Sequence, residues 1–330
     1  MQETIGILVA RASASCDRGA LADAEADARW ALERAEGVHG MHAVSEIVRV
    51  LTERDELDQA EDVLCADPLA SRSDEVVRFL IARGRLRGAQ GRLQEALDDF
   101  LECRQRCARL GRLTLSAVPW RAEAALVCAA VGDTGEARRL AGEQLELARA
   151  FGRPRALGMS LRASGLIEGG ETGLGLLGEA VKALERSKSP LELARALTDY
   201  GAALRRAGRR VQARAELERA LDLAHRLGAR RIANQARAEL IAAGAKPRRD
   251  AITGRDALTA GELRVARLAA QGLTNREIAQ ALFITTKTAK AHLGRVYRKL
   301  EITRRGQLAD SLAGPLGDSH EHPGDTGAIS

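Results

Sequence analysis

"LTDYGAALRRAGRRVQARAELERAL", residues 197 to 221, contains two apolar patterns of helical period separated by a glycine. Side chains three or four positions apart lie on one face of a helix, so each half of the stretch has one side that can be buried. The glycine between the halves can take the left-handed conformation that ends a helix. The positions that carry the pattern are Leu197, Gly201, Leu204, Gly208, Ala213, Leu217 and Ala220. The stretch therefore predicts a helix, a short turn and a second helix.

The same arrangement recurs along residues 1–245 as a small or turn residue followed five positions later by alanine or glycine. The six pairs are Gly19 and Ala24, Asp55 and Ala60, Gly91 and Ala96, Gly132 and Ala137, Gly170 and Gly175, and Gly208 and Ala213. Their first members are 36, 36, 41, 38 and 38 residues apart. A period of this length predicts stacked helical hairpins, with the first residue of each pair in the turn and the second where the helices approach closely.

These units resemble tetratricopeptide repeats, and residues 197–221 match the spacing of that family best. Phe100 fits the large position in the second helix of the third unit. Most units lack the family's large aromatic residues, and they run longer than its usual period of about 34 residues. The resemblance implies an α-solenoid with a concave surface. That surface is either a binding groove for a protein, peptide or small-molecule signal, or part of a spacer that binds nothing.

The composition agrees with an all-α protein, because aromatic residues make up only 2% of the chain and alanine, leucine, arginine and glutamate dominate. The longest apolar stretch, residues 124–132, is too short to span a bilayer. The N-terminus lacks the basic region of a signal peptide. Five cysteines in 330 residues do not form a disulfide framework. We therefore expect a cytoplasmic protein with reduced thiols.

The charge of the chain is concentrated near its C-terminus. Residues 246–312 hold 14 Lys and Arg against 6 Asp and Glu, whereas residues 1–245 carry a net charge of only +1. We expect a repeat domain over 1–245, a linker over 246–256, a DNA-binding domain over 257–312 and a disordered tail over 313–330. Such a concentrated basic module is typical of proteins that bind nucleic acids.

Three helices are predicted within this basic module. Thr259 and Thr274 each have a glutamate three positions later, which is the pattern of a capping box at a helix N-terminus. A tight turn through Phe283 and Ile284 follows the second helix, and Thr285 is expected to cap a third helix that runs to about Leu300. The expected buried positions of the three helices are Leu263, Ala266 and Ala270, then Ile278, Ala279 and Leu282, then Ala289, Leu293, Val296 and Leu300.

The opposite face of the third helix combines cations with two very small residues, Ala291 and Gly294. Long cations can reach phosphates or base edges, and small residues let a helix enter a groove closely. Two helices joined by a short turn, with the second in the major groove, form a helix-turn-helix. The alternative for this segment alone is an ordinary solvated basic helix.

Residues 258–305 resemble the DNA-binding domain of the LuxR family of bacterial transcription regulators. The matching positions are Leu258, Thr259, Glu262, Val265, Gly272, Thr274, Asn275, Glu277, Ile278, Ala279, Leu282, Ile284, Thr285, Thr288, Lys290, His292, Val296, Lys299, Leu300 and Arg305. The resemblance implies a four-helix domain that reads promoter DNA. The residues expected to contact DNA, by resemblance or by position and charge, are Thr274, Asn275, Lys287, Thr288, Lys290, Ala291, Gly294, Arg295, Arg298, Lys299 and Arg305.

Three positions depart from the family pattern. Ala289 replaces the usual valine of the helix core, and Gly294 stands where relatives often place a polar or basic residue. Arg304 replaces a small capping residue, so the fourth helix, about 304–312, is expected to start differently. That helix often helps family members to dimerise, and Leu308 and Leu312 give it a small apolar face here.

Helical repeats followed by this domain resemble the C-terminal half of the large ATP-binding LuxR regulators. The chain contains no Gly-Lys dipeptide and hence no phosphate-binding loop of the G-x-x-x-x-G-K-[ST] type, so we expect no ATP and no other cofactor. Either the chain is a shortened relative, or the ATPase module is separate or missing. Cys103 and Cys107 lie four positions apart and are expected to be buried rather than to bind a metal. Histidines in the segment HEH, 320–322, fall in the predicted tail.

The sequence thus predicts a bacterial transcription regulator that is not an enzyme. Its expected partners are promoter DNA, a second copy of the chain on paired half-sites, an unknown signal at the repeats and, by the family's habit, RNA polymerase. One alternative is an interaction scaffold with a vestigial helix-turn-helix. An RNA-binding protein is less favoured, because Tyr297 is the only tyrosine or tryptophan after residue 200 and offers no stacking platform.

Overall fold

The computed structural model describes residues 2–35, 38–64, 75–109, 120–245, 258, 260–282, 285–300 and 302–313. These residues form seventeen α-helices and no strand, which confirms the all-α class. The chain divides into two compact units, Met1–Pro247 and Arg248–Ser330. The predicted linker, and the predicted tail beyond Ala313, lie outside the described residues.

The first unit consists of six helical hairpins followed by one further helix. The pairs are α1 (Gln2–Asp17) with α2 (Leu21–Leu32), α3 (Val38–Glu53) with α4 (Leu57–Val63), α5 (Glu75–Ala89) with α6 (Leu93–Arg109), α7 (Trp120–Ala130) with α8 (Thr134–Phe151), α9 (Pro154–Glu168) with α10 (Gly170–Glu185), and α11 (Pro190–Arg206) with α12 (Arg210–Leu227). The last helix is α13 (Arg230–Ala242). Each hairpin packs against the next, as a helical-repeat solenoid requires.

The turns lie where the repeat pattern predicts them. Gly19, Gly91, Gly132 and Gly208 all have positive φ angles, between +77° and +92°, directly after the first helix of a pair. Asp55 occupies the equivalent position in the second hairpin with a φ of +63°. Aspartate tolerates this left-handed conformation better than most side chains, which explains why it substitutes for glycine in this unit.

Small residues at the second position of each pair allow the helices to approach closely. The alanines there, Ala24, Ala60, Ala96, Ala137 and Ala213, are all fully buried. Large side chains of the second helix face small residues of the first. A Cβ atom on Gly201 would lie 2.5 Å from Cγ of Leu217.

The fifth hairpin departs from the predicted register. Gly175 is exposed, and Gly173 takes the tight position instead, because a Cβ there would lie 2.4 Å from the carbonyl oxygen of Gly165. The connection between α9 and α10 is shorter than in the other hairpins, with Gly169 as its single residue. Gly169 and Gly170 both have positive φ angles, so a pair of glycines makes this tighter turn possible.

The repeats close on themselves. Cys16 and Leu21 of the first hairpin share a buried cluster with Leu191, Ala224 and Ile232 from the last three helices. Two ion pairs join the second hairpin to the last helices. Arg195 of α11 pairs with Glu53 of α3, and Arg230 pairs with Glu56 at 3.1 Å. The concave side therefore encloses an interior chamber, whereas the repeat pattern alone indicated an open groove.

The remaining sequence predictions for the first unit concern its core. Cys103 and Cys107 are buried, as expected, at 0% and 1% exposure. Phe100 is buried with them in one cluster and packs closely over Gly84, where a Cβ would lie 2.8 Å from Cζ of the ring. One large aromatic residue thus fills the space that a glycine leaves open.

The second unit has its own core. Its helices are α14 (Ala260–Ala270), α15 (Asn275–Ala281), α16 (Thr286–Leu300) and α17 (Leu308–Ala313), with a 3₁₀ turn at Arg305–Gln307 directly before α17. Buried residues from all four helices form one cluster, to which Leu258 also contributes. Because the core is continuous, the orientation of α16 is fixed by the helices around it.

Candidate nucleic-acid interface

The N-termini of α15 and α16 are capped as the sequence predicts. The backbone N–H of Thr274 donates to Glu277 Oε2 at 2.6 Å, and the N–H of Glu277 donates to Thr274 Oγ1 at 3.3 Å. The N–H of Thr274, together with the Thr274 hydroxyl that donates to the same Oε2 at 2.8 Å, lowers the pKa of Glu277, because both bonds stabilise the charged carboxylate. The hydroxyl of Thr285 accepts from the N–H of Thr288 at 3.1 Å. The predicted cap at Thr259 and the turn through Phe283 and Ile284 lie outside the described residues.

The buried side of α16 confirms the predicted core stripe. Ala289, Leu293 and Val296 are at most 4% exposed, and Leu300 packs partly buried against them. The buried face of α14 is shifted from the prediction. Its most buried residues are Val265, Ala266 and Ala269, whereas the predicted Leu263 and Ala270 are only partly buried. Glu262 is buried on the same side of α14.

Glu262 lies in the core and holds α16 against α14. Its side chain is 1% exposed, and its Oε2 accepts from Nζ of Lys299 at 2.6 Å. Arg295 lies 3.8 Å from the other carboxylate oxygen but keeps 48% of its side chain exposed. A buried carboxylate is stable only when it is paired, so Lys299 is committed to this contact. The pairing favours a structural role for Lys299 over the predicted phosphate contact.

Six of the predicted DNA contacts lie together on the exposed face of α16. Its exposed residues include Lys287, Lys290, Ala291, Gly294, Arg295 and Arg298. A Cβ on Gly294 would meet no atom within 4 Å, so the helix surface is open at that point. The face is therefore a strip of cations around two small residues, which suits a helix that enters the major groove.

Two other predicted contacts take part in hydrogen bonds inside the domain. Arg305 donates to Oδ1 of Asn275 at 3.1 Å and to the carbonyl oxygen of Leu273. Thr288 is bonded to Thr285, with 2.8 Å between their hydroxyl oxygens. Arg305 thus braces the start of α15, and Thr288 belongs to the cap of α16. Both remain predictions as DNA contacts.

The N-terminus of α15 presents a further cation that the sequence prediction left out. Thr274 is exposed and Asn275 is half-buried at the start of this helix. Arg276, the next residue, is exposed. Its position directly after two expected phosphate contacts is the signal that could have identified it. Free N–H groups and a nearby cation at a helix N-terminus both favour a phosphate.

The fourth helix, expected over about 304–312, begins at Leu308. Gln307 Oε1 accepts from the backbone N–H groups of Thr303 and Arg304, each at 3.0 Å, and a 3₁₀ turn precedes α17. Leu308 is fully buried in the domain core, and Leu312 packs against the same core. The apolar residues expected to support a dimer are therefore used within the domain itself.

Comparison with known proteins agrees with this geometry. Residues 256–312 match the family described as bacterial regulatory proteins, luxR family. A Mycobacterium tuberculosis protein (strain ATCC 25618 / H37Rv) named as an HTH-type transcriptional regulator is 43% identical over 60 residues, which cover 18% of this chain and 7% of that protein. The transcriptional regulatory protein LiaR of Bacillus subtilis is 44% identical over 54 residues, 16% of this chain and 26% of LiaR. The matches thus concern the DNA-binding domain.

The helical repeats have a counterpart among solved structures. A Rap protein complexed with competence and sporulation factor superposes with a TM-score of 0.52, at 13% identity and over 95% of each chain. At this identity the likeness shows the fold alone. Among the described helices, none is both long and apolar enough to cross a membrane. The chain combines a tetratricopeptide-like helical-repeat fold with a C-terminal helix-turn-helix domain that matches the luxR family of bacterial regulatory proteins.

Proposed function

We propose that this chain is a bacterial transcription regulator that binds promoter DNA through α16. The observation that carries the proposal is the exposed face of that helix, where Lys287, Lys290, Arg295 and Arg298 surround Ala291 and Gly294. The opposite side of the same helix is buried in the domain core. The match of residues 256–312 to a family of DNA-binding regulators supports this reading of the surface.

In the proposed complex, Lys290 faces base edges while Lys287 and Arg298 contact phosphates on either side. The N-terminus of α15 meets a further phosphate through Thr274 and Arg276. Such contacts release counterions, so the affinity should fall steeply as the salt concentration rises. Lys299 is not needed for this arrangement, because Glu262 already engages it.

The partners beyond DNA belong to the same proposal. Two copies of the chain bind paired half-sites, with the dimer contact formed outside the buried side of α17. The repeats bind a signal or partner, and the complex acts on RNA polymerase in the cytoplasm. The alignments with the curated relatives cover only 54 to 60 residues, and the dimer and RNA polymerase are proposed from the family resemblance. We propose no enzymatic activity.

Fluorescence anisotropy of the intact chain against pooled promoter fragments, at two salt concentrations, tests the proposal. We expect a few fragments to bind with a Kd of about 10 nM or tighter, and the affinity to fall by orders of magnitude between about 50 and 200 mM salt. Equal and weak binding to every fragment would instead support a scaffold whose helix-turn-helix no longer reads DNA. Stronger binding to single-stranded RNA than to any duplex would favour an RNA-binding protein.

A further inference from the structure

The interior of the repeat unit contains a chamber of about 220 Å³. It is lined mainly by α3, α5, α7, α9 and α11, the first helices of successive hairpins, and by α13. The chamber is smaller than the pockets of about 300–1,000 Å³ that hold drug-sized ligands. Its occupant must therefore be a small molecule or a single terminal residue rather than a folded partner.

The charged lining of the chamber has an excess of arginine. The charged residues that line it are Arg85, Arg162, Arg195, Arg231, Glu53 and Glu123. Arg85 donates to Glu123 at 2.5 Å and Arg162 to Asp199 at 2.5 Å. A guanidinium group has five N–H donors, and one carboxylate cannot accept them all. The arginines therefore retain donors for a further acceptor, although each already pairs with a carboxylate, Arg195 with Glu53 and Arg231 with Asp55.

Arg195 shows that this region favours an added negative charge. Burial lowers the pKa of Arg195 to about 10, and the positive charges of Arg49 and Arg231 act in the same direction. Although Arg195 lies deep in the unit and pairs with Glu53, 22% of its side chain is exposed. Arg195 is also one of the residues that line the chamber. A carboxylate in the chamber would stabilise the charged form of Arg195.

Glu53, in contrast, favours a ligand group that donates a hydrogen bond to its carboxylate. Its side chain is only 4% exposed, and its Oε2 has no hydrogen-bond partner among the described residues. A buried carboxylate oxygen without a donor is unfavourable, because it has lost its hydration and gained no hydrogen bond. A ligand that carries a positively charged N–H donor beside its own carboxylate would satisfy both Glu53 and the arginines.

Most of the remaining lining is apolar. Phe100, Leu126 and Val127 form part of the wall, and Gly88 of α5 leaves room beside it. A short hydrocarbon group would fit against this wall, whereas the polar groups of a sugar or a phosphate would find no hydrogen-bond partners there.

We propose that the chamber binds a free α-amino acid, with its carboxylate on the arginines Arg162 and Arg195, its ammonium group on Glu53 and its side chain against the apolar wall. The shared chemistry of such a ligand also occurs at a peptide end, but there the ammonium and the carboxylate belong to different residues. The assignment of the ligand as the regulatory signal rests on the proposed function.

Gly88 offers a way to block the chamber without removing a charge. A Cβ added to Gly88 would meet no atom within 4 Å, and the residue lies inside α5 with ordinary helical φ. In Gly88→Leu the new side chain should occupy the chamber. Gly142→Leu is the matched control, because Gly142 is also a helical glycine in open space but is exposed on α8, outside the chamber.

Isothermal titration calorimetry of the intact chain with each of the twenty amino acids tests the proposal. Succinate, which lacks the ammonium group, and alanylalanine, a peptide with separated termini, are the comparison probes. We expect at least one amino acid to bind the native chain. Its affinity should be at least about tenfold weaker for Gly88→Leu and unchanged for Gly142→Leu. Glu53→Gln, measured in parallel, should weaken the amino acid but not succinate.

Three outcomes would overturn the proposal. They are the absence of heat with every amino acid, equal binding to Gly88→Leu and the native chain, and equal or tighter binding of succinate or alanylalanine. Promoter binding by the same preparations separates this inference from the proposed function. If the chain binds its promoter fragments but no amino acid, only the chamber assignment fails. If it binds an amino acid but no promoter, the chamber assignment stands, while the DNA-binding function and the role of the amino acid as its signal fail.

Discussion

Single side chains on α16 have different tasks although they are close in sequence. Lys290 is exposed, while Lys299, nine residues later, pairs with buried Glu262 at 2.6 Å. Both are lysines in a basic helix, and both match the family pattern. The difference comes from the helix wheel and from the packing of α14, which places a carboxylate beside one lysine and open space beside the other.

Lys290→Ala should weaken binding to the promoter fragments by about 1–3 kcal/mol if Lys290 reads a base. The variant should fold normally, because the side chain is exposed. Anisotropy titrations at one salt concentration would measure the loss. Lys182→Ala, which removes an exposed lysine from α10 in the other unit, should leave the affinity unchanged. An unchanged affinity in Lys290→Ala would contradict a role for this residue at the DNA.

Pairs of helices depend on a few positions where backbones or large side chains come close. In α9, a Cβ on Gly165 would lie 2.8 Å from the carbonyl oxygen of Gly173 and 2.8 Å from Cγ of Leu177. The first of these atoms belongs to the backbone and cannot move without shifting α10. The hairpin therefore requires glycine here for space, although its φ is that of an ordinary helix.

Gly165→Ala should destabilise the repeat unit by about 1–3 kcal/mol, since an added methyl group overpacks the contact between α9 and α10. Gly142→Ala, in open space on α8, should stabilise it by about 0.5–1 kcal/mol through the lower flexibility of the unfolded chain. Urea unfolding followed by circular dichroism would compare the two variants. Effects of the same sign in both would show that α9 and α10 do not approach closely.

The repeat unit is also held together by charges that are distant in sequence. Asp17 at the end of α1 accepts from Arg155 of α9 at 2.9 Å and also pairs with Arg49 of α3. Glu46, one turn before Arg49, is buried beside this group. Burial by itself would raise the pKa of Glu46, but Arg49 and His42 more than offset it and the pKa falls to about 2.

This depressed pKa makes the stability of the repeat unit dependent on acid. Glu46 stabilises the folded state fully above its ordinary pKa of about 4.5 and loses that contribution as the pH falls towards about 2. The contribution is on the order of 3 kcal/mol. Thermal unfolding should be measured between pH 6 and about pH 2. The Glu46→Gln variant should be less stable than the native chain at pH 6, and its stability should fall less as the pH is lowered. Glu218 is exposed, so Glu218→Gln should show the same dependence of stability on pH as the native chain. If the stability of Glu46→Gln falls with pH in parallel with that of the native chain, Glu46 does not have this role.

Much of the molecule follows from its sequence alone. The repeat interval, the turn residues and the helix caps at Thr274 and Thr285 depend on interactions within a few positions, so local patterns predict the hairpins, the bounds of α16 and its cationic face. The fifth hairpin was predicted two residues out of register, because four glycines in residues 169–175 make several alignments equally acceptable to a pattern.

Tertiary structure decided what depends on residues far apart in the chain. Only the fold places Glu262 against Lys299 and uses Leu308 inside the domain core. Only the contact of the first two hairpins with the last helices of the unit forms the chamber and brings Glu53 to Arg195, 142 residues away. A sequence pattern records which face of a helix is apolar, but pairing between distant charges depends on how the helices stack, and that is set by packing over the whole unit.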